Sequence, residues 1–260
     1  MDVRMDGRKA LITGGSVGLG KAMATKFAQS GADVGLIARG GERLEAAKTE
    51  IEAASGQKVF TYTCDVCDPA ALTAVHTKAV GDLGQIDITV NNAGHSAVGK
   101  FEEVSDETWQ YDIDLKLMAA VRLSRLVFPA MKERRWGRII NVLNIYAKAP
   151  AGGTAPTSVT RAAGMALTKV LAGEGAPHNV LVNALLVGFI DSDQWVRRHN
   201  PDDGPYEDYL AAMAKQRRIP LGRVGSADEF ASTACFLASE AGGYITGTAI
   251  NVDGGASPVV

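Results

Sequence analysis

The 260-residue sequence predicts a doubly wound α/β fold, a parallel sheet with helices on both faces. Residues 9–39 read as strand, glycine-rich loop, helix and strand, which is a βαβ unit with parallel strands. Strand and helix patterns alternate along most of the remaining chain, and no Pro/Gly/Ser-rich linker interrupts it. The length suits one large domain and is short for two ordinary enzyme domains. We therefore expect residues 1–260 to form a single domain.

Six short apolar or alternating runs are the predicted strands, and segments with helical spacing lie between them. The predicted strands are 9–12, 33–38, 58–63, 86–90, 137–143 and 180–187. The predicted helices include 43–54, one starting at Pro69, a long helix over 106–134, and 154–176 and 227–238. The apolar side of the long helix is expected to carry Trp109, Ile113, Leu117, Val121 and Leu126.

Composition excludes several classes of function. Hydrophobic residues make up 46% of the chain, charged residues 22%, and the formal net charge is −2. These values are ordinary for a globular protein and imply neither nucleic acid nor an anionic membrane as a partner. We see no signal segment and no apolar run near the ~20 residues that span a bilayer, so we expect a cytoplasmic protein. Cys64 and Cys67 form a lone C-x-x-C without further ligands, so no metal site is predicted.

The loop over 13–20 carries four glycines in eight residues and leads into a helix. Backbone without Cβ atoms at a helix N-terminus is suited to bind a diphosphate. The sequence of this loop fits two kinds of nucleotide-binding loop. Gly15-x4-Gly20-Lys21 matches most of a P-loop, but Ala22 replaces the Ser or Thr that holds magnesium, which counts against an NTPase. The other spacing, Thr13-Gly14-x3-Gly18-x-Gly20, resembles the glycine loop of the short-chain dehydrogenases/reductases, a Rossmann family that binds NAD or NADP. A plain tight turn is the ordinary alternative.

The tetrapeptide Asn91-Asn92-Ala93-Gly94 follows the fourth predicted strand, and GTAINVDGG occupies residues 247–255. With these motifs and the glycine spacing, the chain resembles the short-chain dehydrogenases/reductases from about residue 7 to residue 256. The alternative for the tetrapeptide is an incidental turn. The resemblance implies a single-domain Rossmann fold with about seven strands, the last of them at 247–255. It also implies a protein that binds NAD or NADP and transfers a hydride between a carbonyl and an alcohol.

The resemblance also implies which residues contact the coenzyme. By position in the family motifs they are Gly14, Ser16, Gly18, Leu19, Gly20, Arg39, Asp65, Val66, Asn92, Ala93, Gly94, Arg161, Gly188 and Ile190. In the family, an Asp followed by an apolar residue at 65–66 flanks the adenine ring; a helix cap ahead of Pro69 is the ordinary alternative for Asp65.

The end of the second predicted strand indicates which coenzyme is preferred. A carboxylate there would bind a ribose diol and repel a 2′-phosphate. This chain has Ala38 followed by Arg39, and a guanidinium forms bidentate pairs with phosphate. NADP is therefore predicted over NAD, although Val17 stands where many NADP-preferring relatives carry a second basic residue.

The four catalytic positions implied by the resemblance have all changed. The family uses a Tyr as acid, a Lys four residues later, a Ser thirteen residues before the Tyr and an Asn on the preceding long helix. Here the corresponding residues are Thr157, Arg161, Asn144 and Lys116. Gly137-Arg138-Ile139-Ile140-Asn141 and the run 162–169 anchor this correspondence on both sides without a gap.

These replacements suggest new roles. Thr157 donates a hydrogen bond but is a poor acid, and Arg161 stays charged and can hold the ribose hydroxyls and an alkoxide. Asn144 can orient the substrate oxygen. Lys116 can give and take a proton, because burial beside Arg161 would lower its pKa. Tyr146 and His95 are alternative acids, with ordinary packing or loop roles as the plainer explanations.

Residues 191–218 break the alternation with two prolines, a glycine and mixed charges, and we expect a mobile substrate flap. Arg197, Arg198 and His199 could meet an acidic substrate group or form a solvated face. The resemblance also implies a homodimer or homotetramer paired through the long helix.

Two classes of function follow. The first is an NADP-dependent oxidoreductase for a small or medium carbonyl or alcohol, with Lys116 as acid/base. The second is a catalytically inactive NADP(H)-binding protein or a partner subunit of an active relative, suggested by four changed positions out of four. Elimination or hydration by Lys116 is a third reading. The sequence leaves the substrate and the reaction direction open.

Overall fold

Seven parallel strands form the central sheet in the computed structural model, which describes residues 3–260. The strands of this part of the chain are β1 Lys9–Thr13, β2 Asp33–Ala38, β3 Val59–Thr63, β4 Ile88–Asn91, β5 Val98–Gly99, β6 Gly137–Asn144, β7 Ala155–Pro156, β8 Val180–Val187 and β9 Ala249–Val252. The sheet order is β3-β2-β1-β4-β6-β8-β9, and β5 pairs with β7 in a separate antiparallel ribbon. The predicted doubly wound sheet of about seven strands is confirmed.

Helices cover both faces of this sheet. They are α1 Gly18–Gln29, α2 Gly41–Ser55, α3 Pro69–Leu83, α4 Asp106–Ile113, α5 Ala119–Glu133, α6 Thr157–Gly175, α7 Asp193–Val196, α8 Tyr206–Gln216 and α9 Ala227–Ala238. Phe27 of α1 and Phe230 of α9 pack in one core layer, and Leu123 of α5 and Ala172 of α6 pack in the other. Because both faces are covered, β6 and β8 are buried along nearly their whole length.

The strand order reverses between β1 and β4, which lie side by side. Ligands of open α/β sheets bind outside the carboxyl ends of the strands at such a switch point. The glycine loop, defined as residues 13–20, leaves β1 there, and the Asn91–Gly94 motif leaves β4 beside it. The two strongest sequence motifs are therefore neighbours.

The predicted long helix over 106–134 is divided. A π-helical turn, Asp114–Met118, separates α4 from α5. Its wider turn shifts the helical phase, so the predicted apolar side is only half-buried and another face meets the core. That core face carries Asp112, Leu115, Lys116, Ala119, Leu123, Val127 and Met131.

The predicted helix over 154–176 also begins later than expected. Ala155 and Pro156 pair with Gly99 and Val98, and α6 therefore starts at Thr157. A two-residue ribbon between segments more than fifty residues apart has no local pattern, so the sequence did not predict it. The flap, residues 191–218, contains α7, a short 3₁₀ turn at Pro201–Asp203 and α8. Its mobility stays a prediction.

Within residues 3–260, no helix combines the length and apolar character needed to cross a membrane.

Candidate active site

The glycine loop has the backbone geometry that a diphosphate requires. Gly14 and Gly18 have φ values of 66° and 55°, a region that favours glycine. A Cβ atom on Gly20 would lie 2.1 Å from the carbonyl oxygen of Gly14. No side chain among the described residues caps the N-terminus of α1, which Val17 precedes. The first turn of α1 therefore remains available to an anion, and the residues present fit a dinucleotide.

Thr13 and Asn92 give this loop its shape. The Thr13 hydroxyl oxygen accepts hydrogen bonds from the backbone N–H groups of Asn92 and Ala93, at 2.9 Å and 3.0 Å. The Asn92 side-chain amide donates to the carbonyl oxygens of Thr13 and Gly14. Asn92 was predicted as a coenzyme contact. In the structure its amide nitrogen is used in the two hydrogen bonds that stabilise the loop. The role of Thr13 was missed, although it stands directly before Gly14.

Arg39 lies exposed where β2 ends. Its guanidinium donates a long hydrogen bond, 3.4 Å, to the hydroxyl of Tyr111 on α4. Within residues 3–260 no carboxylate forms an ion pair with Arg39, so the guanidinium can meet a phosphate. Asp65 is exposed, whereas Val66 is buried in the core. The cap of α3 is Asp68, which accepts from the N–H groups of Ala70 and Ala71, so the helix-cap alternative for Asp65 is wrong.

The loop after β8 passes over the glycine loop. Gly188 packs against Asp253 so closely that a Cβ atom would lie 2.5 Å from the Asp253 Cβ, and Ile190 is buried. A Cβ atom on Gly18 would lie 3.8 Å from the Cβ of Ser192. Ser192 therefore lies beside the glycine loop, a neighbour that sequence reasoning missed. Ser16 and Leu19 are half-buried in the same loop.

Lys116 lies at the centre of a buried polar cluster. We call Asp112, Lys116, Thr157, Thr160 and Arg161 the Lys116 cluster. Lys116 is 5% exposed, and its ammonium group donates to an Asp112 carboxylate oxygen and, at 2.7 Å, to the Thr157 hydroxyl oxygen. The π-helical turn places Lys116 on the core side of the chain, one helical turn after Asp112. Three of the four predicted catalytic residues thus meet in one cluster.

Thr157 has no hydrogen-bonding capacity left over. Its hydroxyl donates to the Ala97 carbonyl oxygen at 2.7 Å and accepts from Lys116 and from the Ala97 N–H. A hydroxyl has one donor and two acceptor positions, and all three are used. Thr157 therefore joins the Ala97 loop to Lys116, and the predicted contact with a substrate oxygen would require one of these bonds to break.

Arg161 spans the sheet edge beside Gly94. Its guanidinium donates to the Val142 carbonyl oxygen of β6 at 2.7 Å. A Cβ atom on Gly94 would lie 2.6 Å from an Arg161 terminal nitrogen, so a side chain there would displace the guanidinium. The Arg161 Nε is buried and has no hydrogen-bond partner among the described residues. An unpartnered buried donor fits a ligand oxygen.

Asn144 ends β6, two residues after Val142, and its side-chain oxygen is buried without a partner in the described part of the chain. His95 follows Gly94, and its ring centroid lies 5.8 Å from that of Tyr111. Tyr146 lines a separate cavity of about 270 Å³ together with Phe189 and Arg217. None of the four predicted catalytic residues is among the described residues that line that cavity, which weakens Tyr146 as an alternative acid.

The electrostatics of the cluster favour proton exchange at Lys116. Burial and the charge of Arg161 lower the pKa of Lys116 to about 8, and Asp112 acts in the opposite direction. Burial lowers the pKa of Arg161 to about 10, again opposed by Asp112. Burial, followed by the charge of Lys116, lowers the pKa of His95. A lysine that titrates near neutral pH is suited to act as an acid or a base.

A switch point with a glycine loop and an uncapped helix N-terminus defines a dinucleotide-binding protein of the Rossmann type. The family model described as "Enoyl-(Acyl carrier protein) reductase" matches residues 14–257. The chain belongs to the short-chain dehydrogenase/reductase family.

Three relatives place the chain within this family. A 3-oxoacyl-[acyl-carrier-protein] reductase of Aquifex aeolicus is 33% identical over 98% of this chain and 99% of its own length. L-Sorbose reductase from Gluconobacter frateurii, in complex with NADPH and L-sorbose, has a TM-score of 0.95 at 36% identity and covers 100% of both chains. An NADPH-bound short-chain oxidoreductase from Pseudomonas aeruginosa PAO1, described as containing an atypical catalytic center, has a TM-score of 0.93 at 35% identity over 99% of both chains.

Proposed function

We propose that the protein is an NADP-dependent oxidoreductase that interconverts a small or medium carbonyl compound and its alcohol, with Lys116 as the acid/base. The observation that carries this proposal is the buried Lys116 ammonium, held by Asp112 and Thr157 next to the Gly94–Arg161 contact at the sheet edge. The names of the relatives, which are reductases, support the reaction class.

The coenzyme would be held by groups already in place. The glycine loop and the first turn of α1 would bind the diphosphate, and Arg39 the 2′-phosphate. The unpartnered Nε of Arg161 would bind a hydroxyl of the nicotinamide ribose. Bound NADPH supplies the hydride. Two structural neighbours were crystallised with NADPH, which supports NADP over NAD.

In the reducing direction, Lys116 gives a proton to the substrate oxygen as the carbonyl carbon receives the hydride, and the ammonium becomes a neutral amine. In the oxidising direction the neutral amine takes the proton back. General acid catalysis of this kind contributes about 10²–10⁴-fold. Arg161 stabilises negative charge on the same oxygen, and the Asn144 amide orients it. Thr157 positions Lys116 and leaves the substrate to these other groups.

The first experiment titrates the protein with NADPH and NADH and follows protein-to-nicotinamide fluorescence transfer. We expect micromolar binding that favours NADPH, and at least about tenfold weaker NADPH binding for Arg39→Asp, because a carboxylate repels the 2′-phosphate. Lys58→Asp is the matched control, since it makes the same change in charge at an exposed residue before β3. If neither coenzyme binds, the oxidoreductase proposal is wrong.

The second experiment measures turnover on a panel of carbonyls and alcohols. Lys116→Met should lower turnover at least about tenfold with unchanged NADPH affinity. Lys116→Met/Asp112→Asn, which removes both buried charges, controls for an unpaired Asp112. Coenzyme binding without turnover on any substrate would favour the inactive NADP(H)-binding protein. Substrate loss at constant nicotinamide absorbance would favour elimination or hydration.

We also propose that residues 1–260 act as one dinucleotide-binding domain, that the flap moves over the substrate, and that the protein is a homodimer or homotetramer. The half-buried apolar residues of α4, the π-helical turn and α5 support the assembly, because apolar side chains that are left partly exposed can be covered by a second chain. Light scattering should give two or four chains, and Leu117→Lys should lower that number. A monomeric parent protein would contradict this assembly.

A further inference from the structure

The carboxylate that pairs with the proposed proton donor Lys116 belongs to Asp112 and is deeply buried. It is 1% exposed, and its two oxygens have different partners. One accepts from the Lys116 ammonium, and the other accepts from the Thr160 hydroxyl at 2.6 Å. A buried carboxylate is costly unless it is paired and hydrogen-bonded, and here both conditions are met.

Counting donors shows what this arrangement does to Lys116. An ammonium group has three N–H donors. One binds Asp112 and one binds Thr157, and the third has no acceptor within residues 3–260. Thr157 is itself fixed by its two hydrogen bonds with Ala97. Two partners therefore hold the ammonium and leave one donor unused, and because the Lys116 side chain is fully buried, a ligand oxygen reaches that donor only when a neighbouring group moves aside.

We propose that Asp112, oriented by Thr160, is the positioning residue for Lys116: it keeps the ammonium charged in its buried place and directs the one unused N–H to the substrate oxygen. This inference rests on the proposed function of Lys116 and adds to it a residue that neither the motifs nor the relatives assign. Asp112 does not touch substrate in this role, since it is 1% exposed and each of its oxygens already accepts from a neighbouring side chain.

The surrounding charges explain why the carboxylate is needed. Arg161 faces Lys116 from α6, and His95 faces it from the loop after β4. Both groups oppose the ammonium when charged, and Asp112 on α4 is the acidic group in its immediate surroundings within the described chain. Without Asp112 the ammonium would be buried beside Arg161 with no counter-charge, and it would lose its proton at lower pH.

The test compares Asp112→Asn with the parent protein in the reducing direction from pH 6 to pH 9. Asparagine keeps the shape of the side chain and removes the charge. We expect NADPH affinity within about twofold of the parent protein and a pH midpoint lower by about one unit, so turnover at pH 8 should be lower by about fivefold. At pH 6 the variant should recover most of the parent activity, because Lys116 is again protonated.

Two further variants separate positioning from support of the fold. Thr160→Val removes only the hydroxyl that orients Asp112, and it should shift the midpoint in the same direction by a smaller amount. Adding Asp112→Asn to Lys116→Met should change turnover by less than about twofold, because the group through which Asp112 acts is gone.

An equal loss at every pH, or the same loss in the Lys116→Met background, would overturn the proposal and leave Asp112 as a structural residue. If Lys116→Met itself keeps full turnover, the proposed function of Lys116 has failed, and this outcome is distinct from a failure of Asp112 alone.

Discussion

The coenzyme side of the cleft is built mainly from backbone groups, whereas the proposed proton-donor side is built from side chains. The coenzyme side consists mainly of backbone: Gly14, Gly18 and Gly20 bring peptide groups together where no Cβ fits, and Thr13 and Asn92 hold them by hydrogen bonds to main-chain atoms. The proton-donor side consists of buried side chains, with Asp112 and Lys116 paired beneath the sheet edge.

This difference teaches which kind of site tolerates change. A backbone cradle fails with one added methyl group, because nothing nearby can move away. A side-chain cluster can be rebuilt on the same scaffold, provided that each buried charge keeps a partner and each buried polar group a hydrogen bond. The resemblance implies that all four catalytic positions of this chain differ from the family pattern, and in the arrangement proposed above Asp112 supplies the carboxylate that Lys116 requires.

The largest effect should come from breaking the charge balance of the cluster. Lys116→Met leaves Asp112 buried without its cation, and removing one partner of a buried pair costs about 3–5 kcal/mol of unfolding free energy. Lys116→Met/Asp112→Asn should recover a large part of this loss, because no unpaired charge remains. Urea unfolding measures both. If the single and the double variant have equal unfolding free energies, an unpaired Asp112 charge does not destabilise the protein, and this prediction is wrong.

The backbone side is tested by Gly20→Ala. Its Cβ would lie 2.1 Å from the Gly14 oxygen, so the loop must open and NADPH affinity should fall by about 100-fold or more. Gly81→Ala is the matched control, since a Cβ there meets no atom of the described chain within 4 Å. In the interior of α3 the control should be neutral or stabilising by about 0.5–1 kcal/mol. Fluorescence titration decides, and unchanged affinity for Gly20→Ala would contradict the cradle.

The proton-donor side should respond to pH where the coenzyme side does not. Reduction needs the Lys116 ammonium, so turnover should be constant below a pKa of about 8 and fall about tenfold per unit above it. Oxidation needs the neutral amine and should rise through the same pH. Steady-state rates in both directions measure this, with NADPH affinity at each pH as the reference. A profile without a break near pH 8 would remove Lys116 as the titrating group.

Much of the fold could be predicted, because strands that are buried on both faces of a parallel sheet consist of continuous apolar runs. The predicted bounds of the second strand, the sixth strand and the helix over 227–238 agree with β2, β8 and α9. The π-helical turn at Asp114–Met118 and the β5–β7 ribbon were not predicted, since both arise from contacts with distant segments and leave no local period.

The site could be predicted only in part. The motifs located Lys116, Thr157 and Arg161, and the lowered pKa of Lys116 agrees with the predicted burial beside Arg161. Asp112 was missed, although its spacing of four residues from Lys116 is a visible signal for a helical pair. Two of the three hydrogen bonds that the Thr157 hydroxyl makes are to Ala97, sixty residues earlier in the sequence. Only the folded chain brings these groups together.

The smallest effect concerns the hydrogen bond that Arg39 makes with a side chain in the described part of the chain. The hydrogen bond from Arg39 to Tyr111 is 3.4 Å long, and both residues are exposed. A bond of that length in water contributes little, so Tyr111→Phe should change NADPH affinity by about twofold or less, against the loss expected for Arg39→Asp. Titration with NADPH and NADH in parallel checks this. A loss as large as that of Arg39→Asp, confined to NADPH, would show that Tyr111 positions the guanidinium for the 2′-phosphate. The coenzyme side would then depend on side-chain pairs as the Lys116 cluster does.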